Sequence, residues 1–514
     1  MNIRIMLIAS AALIAGCDGG SSDGTNPNTT TPAVSDMTVN LSSVAQNSAL
    51  TKVQCNELQV ENVRANGGSD CWLLEVPEDY AKPEATKIKV AVAKLPSQRE
   101  KKGAFVFLSG GPGGSAIAYG GDFAGSAINL SHDVYFVDQR GTGFSTPSLF
   151  CDFAETGTPA QLTACKNKFQ NRGVDLNQYT NQFNAYDFLV LEKKLTEANE
   201  LSGNWKLYGA SYGTRLAMTI AREEQRQIEA GYQTKRAIEM MVLDGVLPVE
   251  VNGIKGTPWA NYQSLDRLLE ICNRSAPYCN EQELKIKLNE MFGRLDNQYH
   301  LAMVNYLLQK SMQRTDSKPA RNGYNPVELV KLDLAEWVKI ATGEMQEEFD
   351  VNEPDMFVAM SLSNICAEAP VKPAHHTAHP SRSKWGENVQ NAIDTSHHTG
   401  LSFEACQTWG VKTVPASYYQ APESITYPVL LLNGANDGQT PPAWADVSAQ
   451  AFSNKLSLTF DSGKHVIMDN AISDSPDCLG RLVTSAVNEP ATMRTLDTRC
   501  LNTAEFKYID VIDR

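Results

Sequence analysis

The stretch that most constrains this 514-residue chain is Trp205-Lys-Leu-Tyr208, then Gly209-Ala-Ser211-Tyr-Gly213, opening a helical pattern over 212–229. A short apolar strand must turn abruptly into a helix. The two glycines permit the tight turn, and Ser211 at its apex is lifted clear of the sheet. Gly-x-Ser-x-Gly alone is a weak pattern, since Gly20-Ser-Ser22-Asp-Gly24 also matches, in a polar stretch with no strand before it. Only the strand and helix around Ser211 give the match structural content. A hydroxyl there becomes a nucleophile when a base and an orienting acid stand beside it.

Apolar runs at 72–76, 88–95, 104–108, 134–137, 238–243, 427–432 and 456–460 have strand character. Helical spacing over 185–202 and 212–229 alternates with them. This predicts an α/β fold with a mostly parallel sheet. Residues 249–426 carry few strand signals and helical patterns at 261–271, 281–310 and 327–343. They are read as a large, mainly helical cap inserted into a core made of 51–248 and 427–514.

Lys and Arg number 45 against 59 Asp and Glu, a net charge of −14, with no basic run. The chain is a poor candidate for binding nucleic acid or anionic lipid, which need clustered positive charge, and no nucleic acid partner is expected. Beyond the first 16 residues no apolar stretch approaches the roughly 20 needed to span a bilayer. The N-terminus has a targeting pattern: Arg4, an apolar run over 6–15, then Leu13-Ile-Ala-Gly-Cys17. It resembles a bacterial lipobox. Residues 1–17 are then a signal ending at a lipidated Cys17, 18–50 a flexible tether, and the location the cell envelope, with the membrane reached through lipid. Asp18 resembles an inner-membrane retention signal. Of the 11 cysteines, Cys17 aside, the others pair most simply as sequence neighbours in an oxidising compartment: Cys55–Cys71, Cys151–Cys165, Cys272–Cys279, Cys366–Cys406 and Cys478–Cys500. Spacing alone leaves other connectivities open.

On a sheet of this kind the triad order is Ser, acid, His. His375, His376, His379, His397 and His398 crowd a polar, Pro-containing stretch of the cap, and His300 sits within a helical pattern. Only His465 follows a late core strand. Asp437, in Gly434-Ala-Asn-Asp437-Gly, follows the preceding one, with Asp461 and Asp469 as weaker competitors. The expected triad is Ser211, Asp437 and His465. The Gly-rich loop after residue 108 and the turn after Ser211 would hold a developing oxyanion, through the N–H groups of Gly111 and Tyr212. Prolines around the histidine cluster disfavour a helical metal site, so no metal or other cofactor is expected.

Several pieces together resemble the prolyl-iminopeptidase-like serine aminopeptidases of the α/β-hydrolase superfamily, most of all their secreted tripeptidyl-aminopeptidase branch. They are Gly110-Gly-Pro-Gly-Gly114, Asp138-Gln-Arg-Gly-Thr-Gly-Phe-Ser145, Gly209-Ala-Ser-Tyr-Gly-Thr214, Leu243-Asp-Gly245, Cys366-Ala-Glu368, the loop from Asp437 to Pro442, and His465. The resemblance implies a peptide substrate cleaved at its free N-terminus, with a carboxylate in or near the cap receiving the ammonium. Glu368 is the candidate; Glu404 and Asp244 are rivals. Ser109, Lys464 and Gly438-Gln439 depart from the family pattern and weaken any inference of proline specificity. A carboxylesterase or lipase is the alternative activity, because the same triad hydrolyses esters.

Overall fold

The computed structural model describes residues 38–58, 69–99, 101–153, 157–254, 256–274, 279–295, 304, 356–368, 379–395, 403–422, 425–461, 463, 465–467 and 478–503. Nine strands form one sheet: β1 (Ala49–Val53), β2 (Asp70–Pro77), β3 (Lys87–Leu95), β4 (Ala104–Leu108), β5 (Asp133–Val137), β6 (Trp205–Ala210), β7 (Ile238–Asp244), β8 (Val429–Gly434) and β9 (Lys455–Phe460). Their order is β1-β2-β3-β5-β4-β6-β7-β8-β9. β1, β2, β3 and β5 pair antiparallel. From β5 through β4 to β9 every pairing is parallel. β4, β5, β6 and β8 are buried at every residue. That is the signature of parallel strands covered on both faces, and it is why these segments read as continuous apolar runs rather than alternating ones.

One face carries the helices Asn181–Glu197 and Tyr212–Glu229, with Leu189, Leu191, Leu216 and Ile220 fully buried against Val106, Leu207 and Met241. The other face carries the helix Cys478–Asn488, with Leu479, Val483 and Val487 against Phe105, Phe136 and Leu430. β4 steps outward to β5, whereas β6 follows on its other side. This reversal opens a crevice at the carboxyl ends of β4 and β6, where open α/β sheets hold their ligands.

Between β7 and β8 the described elements are helical, including Thr257–Arg274, Glu281–Arg294, Val358–Glu368, Glu387–Asp394 and Phe403–Trp409. They have apolar centres of their own. Leu268, Leu288, Phe292 and Val389 gather in one; Phe357, Leu362, Cys366 and Trp409 gather in another. The predicted helix at 327–343 lies outside the described residues, as do Cys17 and the tether up to residue 37.

The last part of the expected tether, 18–50, carries regular structure. Leu41–Gln46 is a helix capped by the Asn40 side chain, with Leu41, Val44 and Ala45 buried, and β1 begins at Ala49. The Gln227 side chain accepts from the Leu41 N–H at 3.0 Å and donates to the Val39 carbonyl at 2.8 Å. Five cystines are present: Cys55–Cys71, Cys151–Cys165, Cys272–Cys279, Cys366–Cys406 and Cys478–Cys500.

Candidate active site

Ser211 sits between β6 and the helix Tyr212–Glu229 with φ 55° and ψ −122°. This backbone is costly for a non-glycine residue. A Cβ at Gly209 would run into the Gly213 backbone, and one at Gly213 into the Leu108 backbone. Both flanking positions therefore require glycine for close approach, not only for a turn. The Ser211 N–H donates to the Asp244 carbonyl at 2.8 Å, and its carbonyl accepts from the Thr214 hydroxyl at 2.6 Å.

Asp437 follows β8 and is 3% exposed. Its Oδ1 accepts from the N–H groups of Gln439 and Thr440, both at 2.8 Å. Its Oδ2 accepts from the Thr440 hydroxyl at 2.7 Å and faces His465 Nδ1 at 2.8 Å. A carboxylate so placed only accepts, so in the neutral imidazole Nδ1 carries the proton and Nε2 keeps a lone pair. Gly245, at φ 66°, lies against this pair: a Cβ there would be 3.3 Å from the His465 ring and 3.1 Å from Thr440 Oγ1.

One pocket is lined by Gly111, Ser211, Tyr212, Arg215, Glu368 and Trp444, among others. The carbonyl of Gly110 accepts from the Gly114 N–H at 3.2 Å, curling the Gly-rich loop toward Ser211. Behind the loop, Asp138 accepts from Ser115 Oγ at 2.8 Å and from the Ile117 and Phe144 N–H groups at 3.1 and 2.8 Å. Burial pushes the Asp138 carboxyl up to about 6. Arg140, fully buried, is bidentate with Asp187 at 2.8 and 2.7 Å. The Asp138–Ser145 motif thus braces the loop from beneath. The Tyr212 hydroxyl donates to Asn181 at 3.1 Å and accepts from Asn364 Nδ2 at 2.8 Å, linking the turn to the helix Val358–Glu368.

Glu368 lines the pocket and pairs with Arg215 at 3.0 Å. Arg215 also donates to the Pro248 and Val251 carbonyls, both at 2.7 Å. Sequence reasoning missed Arg215. The signal was available, because Arg215 lies four residues, about one helical turn, after Ser211. Neither rival to Glu368 lines this pocket. Glu404 is exposed on the helix Phe403–Trp409. Asp244 is fully buried, accepting from Tyr208 Oη at 2.9 Å and the Ile467 N–H at 3.0 Å. Asp461 pairs with Arg267 and Arg274, both at 3.0 Å. His379 packs on Tyr262 and Trp259. His300, His375, His376, His397, His398, Lys464 and Asp469 lie outside the described residues, among which no group of three or more His, Cys, Asp or Glu could hold a metal.

Comparison with known proteins gives relatives of two activities. Serine protease Hip1 of Mycobacterium tuberculosis is 28% identical over 214 residues, covering 38% of this chain and 39% of its own length. The chain thus spans well under half of that relative. Tripeptidyl aminopeptidase of Streptomyces lividans is 24% identical over 452 residues, covering 77% of this chain and 78% of its own. Carboxylesterase B of M. tuberculosis is 38% identical over 85 residues, 16% of each chain. The model of the alpha/beta hydrolase fold family matches residues 103–471, which include Ser211, Asp437 and His465. This match runs from β4 past β9, and the chain belongs to the alpha/beta hydrolase fold family.

Proposed function

We propose that this chain is an exported serine exopeptidase that releases amino acids or short peptides, such as tripeptides, from free peptide N-termini. The observation that carries the reading is the Asp437–His465 hydrogen bond at the ends of β8 and β9, beside a strained serine turn at the end of β6. Ser211 Oγ attacks the scissile carbonyl carbon while His465 Nε2 takes the hydroxyl proton. The N–H groups of Gly111 and Tyr212 receive the oxyanion. His465 then passes the proton to the leaving amine, giving an acyl-enzyme. Water reverses the sequence: His465 takes its proton, hydroxide adds to the acyl carbon, and Ser211 leaves reprotonated. Asp437 fixes the Nδ1–H tautomer throughout. The chemistry requires no cofactor.

Glu368 receives the substrate ammonium, with Arg215 holding its carboxylate in place. A desolvated charge pair of this kind discriminates strongly against a blocked terminus. Residues 249–426 act as the cap over this pocket, between core segments 51–248 and 427–514. The five cystines support an oxidising compartment. Among the described residues no helix is long and apolar enough to cross a membrane, and a lipid on Cys17, after removal of the signal, supplies the anchor in the cell envelope.

The second reading is a carboxylesterase, favoured by the 38% identity to carboxylesterase B over 85 residues. Two matched fluorogenic peptides, one free and one N-acetylated, separate them. The exopeptidase reading predicts turnover of the free peptide alone, with product masses giving the number of residues released. Equal turnover of both, or of neither while a simple ester is cleaved, would replace it with the esterase reading.

A further inference from the structure

Two loops must be held in register for this site to work: the turn at Ser211 and the loop carrying His465. The strand between β6 and β8 ends in one residue that touches both. Asp244 is the last residue of β7, in register with Ala210 on β6 and Leu432 on β8. Its backbone carbonyl accepts from the Ser211 N–H at 2.8 Å. Its carboxylate reaches the other way, Oδ1 accepting from the Ile467 N–H at 3.0 Å and Oδ2 from the Tyr208 hydroxyl at 2.9 Å. The residue is fully buried. Gly245, next in the chain, donates to the Leu432 carbonyl at 3.0 Å, and the His465 ring lies against it.

Among the described residues three non-glycine positions have a positive φ: Asn199, Ser211 and Val466, the last two at 55° and 56°. Val466 is the more demanding, since a β-branched side chain rarely adopts this backbone. It directly follows His465 and directs the chain onward to Ile467. Asp244 bonds the peptide N–H of Ser211 itself and the N–H immediately after Val466. It therefore satisfies a backbone group at one strained position of the site and the one directly after the other. Such strain persists only where surrounding bonds over-determine it.

We propose that Asp244 is the positioning residue that locks the Ser211 turn and the His465 loop into one geometry: its backbone carbonyl holds the turn, and its side chain holds the loop after His465 through hydrogen-bond acceptance rather than through its charge. The proposal rests on Ser211 and His465 being nucleophile and base. Asp244 touches neither the substrate nor the reacting atoms. A displacement of about 1 Å between reacting groups costs on the order of 100-fold in rate, so losing this strut should act on the chemical step and spare substrate binding.

The test measures the labelling rate of the full chain by a fluorophosphonate, kcat and KM on a free-N-terminus peptide, and the thermal midpoint. Ser211→Ala is the control. Asp244→Ala is expected to lower both the labelling rate and kcat about 30- to 100-fold, with KM changed less than about threefold. Asp244→Asn, whose amide oxygen still accepts from Ile467, should recover most of that loss. A folded Asp244→Ala labelling within threefold of the parent would overturn the proposal, as would a folded Asp244→Asn that falls as far as the alanine variant. If Asp244→Ala does not fold, Tyr208→Phe takes its place. It keeps the ring and removes the hydroxyl that orients the carboxylate, with a roughly tenfold fall in kcat expected at constant KM; an unchanged kcat overturns the proposal. Labelling that survives in Ser211→Ala would instead defeat the underlying assignment of the nucleophile, so the two failures are distinct.

Discussion

Replacing Arg215 by methionine removes a cation whose side chain is 6% exposed and whose partner, Glu368, is 9% exposed. Three contacts go at once: the ion pair at 3.0 Å and the bonds to the Pro248 and Val251 carbonyls, both at 2.7 Å. Methionine nearly fills the volume, so the dominant cost is a buried carboxylate that has lost its counter-charge. Breaking one side of a buried pair costs about 3–5 kcal/mol. Glu368→Gln in the same background removes the stranded charge. The double variant should regain about 2–3 kcal/mol relative to Arg215→Met alone, the range expected for residues in direct contact. The assay is urea unfolding of the four proteins of the cycle, with the midpoint read at constant denaturant dependence. Arg215→Met should also raise KM for a free-N-terminus peptide, since Glu368 loses the group that aims it. An Arg215→Met variant within 1 kcal/mol of the parent, or additive single and double variants, would refute the coupling of nucleophile helix to cap helix.

Asp437→Asn should leave the thermal midpoint nearly unchanged while kcat falls about 10⁴-fold, because the amide no longer enforces the Nδ1–H tautomer; peptide hydrolysis measures it. His132 is fully buried, and burial, with Lys206 nearby, pushes its imidazole down to about 4. Its ordinary value is about 6.5. The native state thus binds the proton later than the unfolded chain. The stability is complete above pH 6.5 and is lost as pH falls toward 4, by about 3 kcal/mol. His132→Leu should flatten that part of a stability–pH curve measured by urea unfolding. Replacing Cys366 and Cys406 by serine opens a bridge of sequence separation 40 and should cost about 4 kcal/mol in the chain-entropy model, again read by urea unfolding. The same bridge holds the helix that carries Asn364 and Glu368, so KM should rise with it.

Much of the core was readable because parallel strands buried on both faces are dominated by apolar residues, with only isolated polar ones such as Lys206 among them. β4 and β6 are apolar enough to be bounded within two residues. The serine turn was readable because the packing around Gly209 and Gly213 tolerates no side chain. The edge was not readable. β1 is half-exposed to exposed throughout, so Ala49–Val53 carries no apolar period, and the capped helix before it is only six residues long. The spacing of Arg215 from Ser211 was visible, but its partner was not: Glu368 lies on the helix Val358–Glu368, far away in sequence, and only the tertiary fold brings the two together. Asp244 entered the sequence analysis only as a rival to Glu368, and its contacts were not legible there. Its strand-end position near the site is visible in sequence, but which loop its carboxylate faces depends on tertiary pairing with Ile467.

The central claim is that Ser211 is the nucleophile activated by His465 and Asp437. Intact-protein mass spectrometry after fluorophosphonate treatment, followed by peptide mapping, tests it most directly. One adduct on the peptide containing Ser211, absent in Ser211→Ala and slowed by orders of magnitude in His465→Ala, is the predicted result. No adduct on the folded protein, or an adduct on Ser109 or Ser115 with Ser211 unmodified, would contradict it.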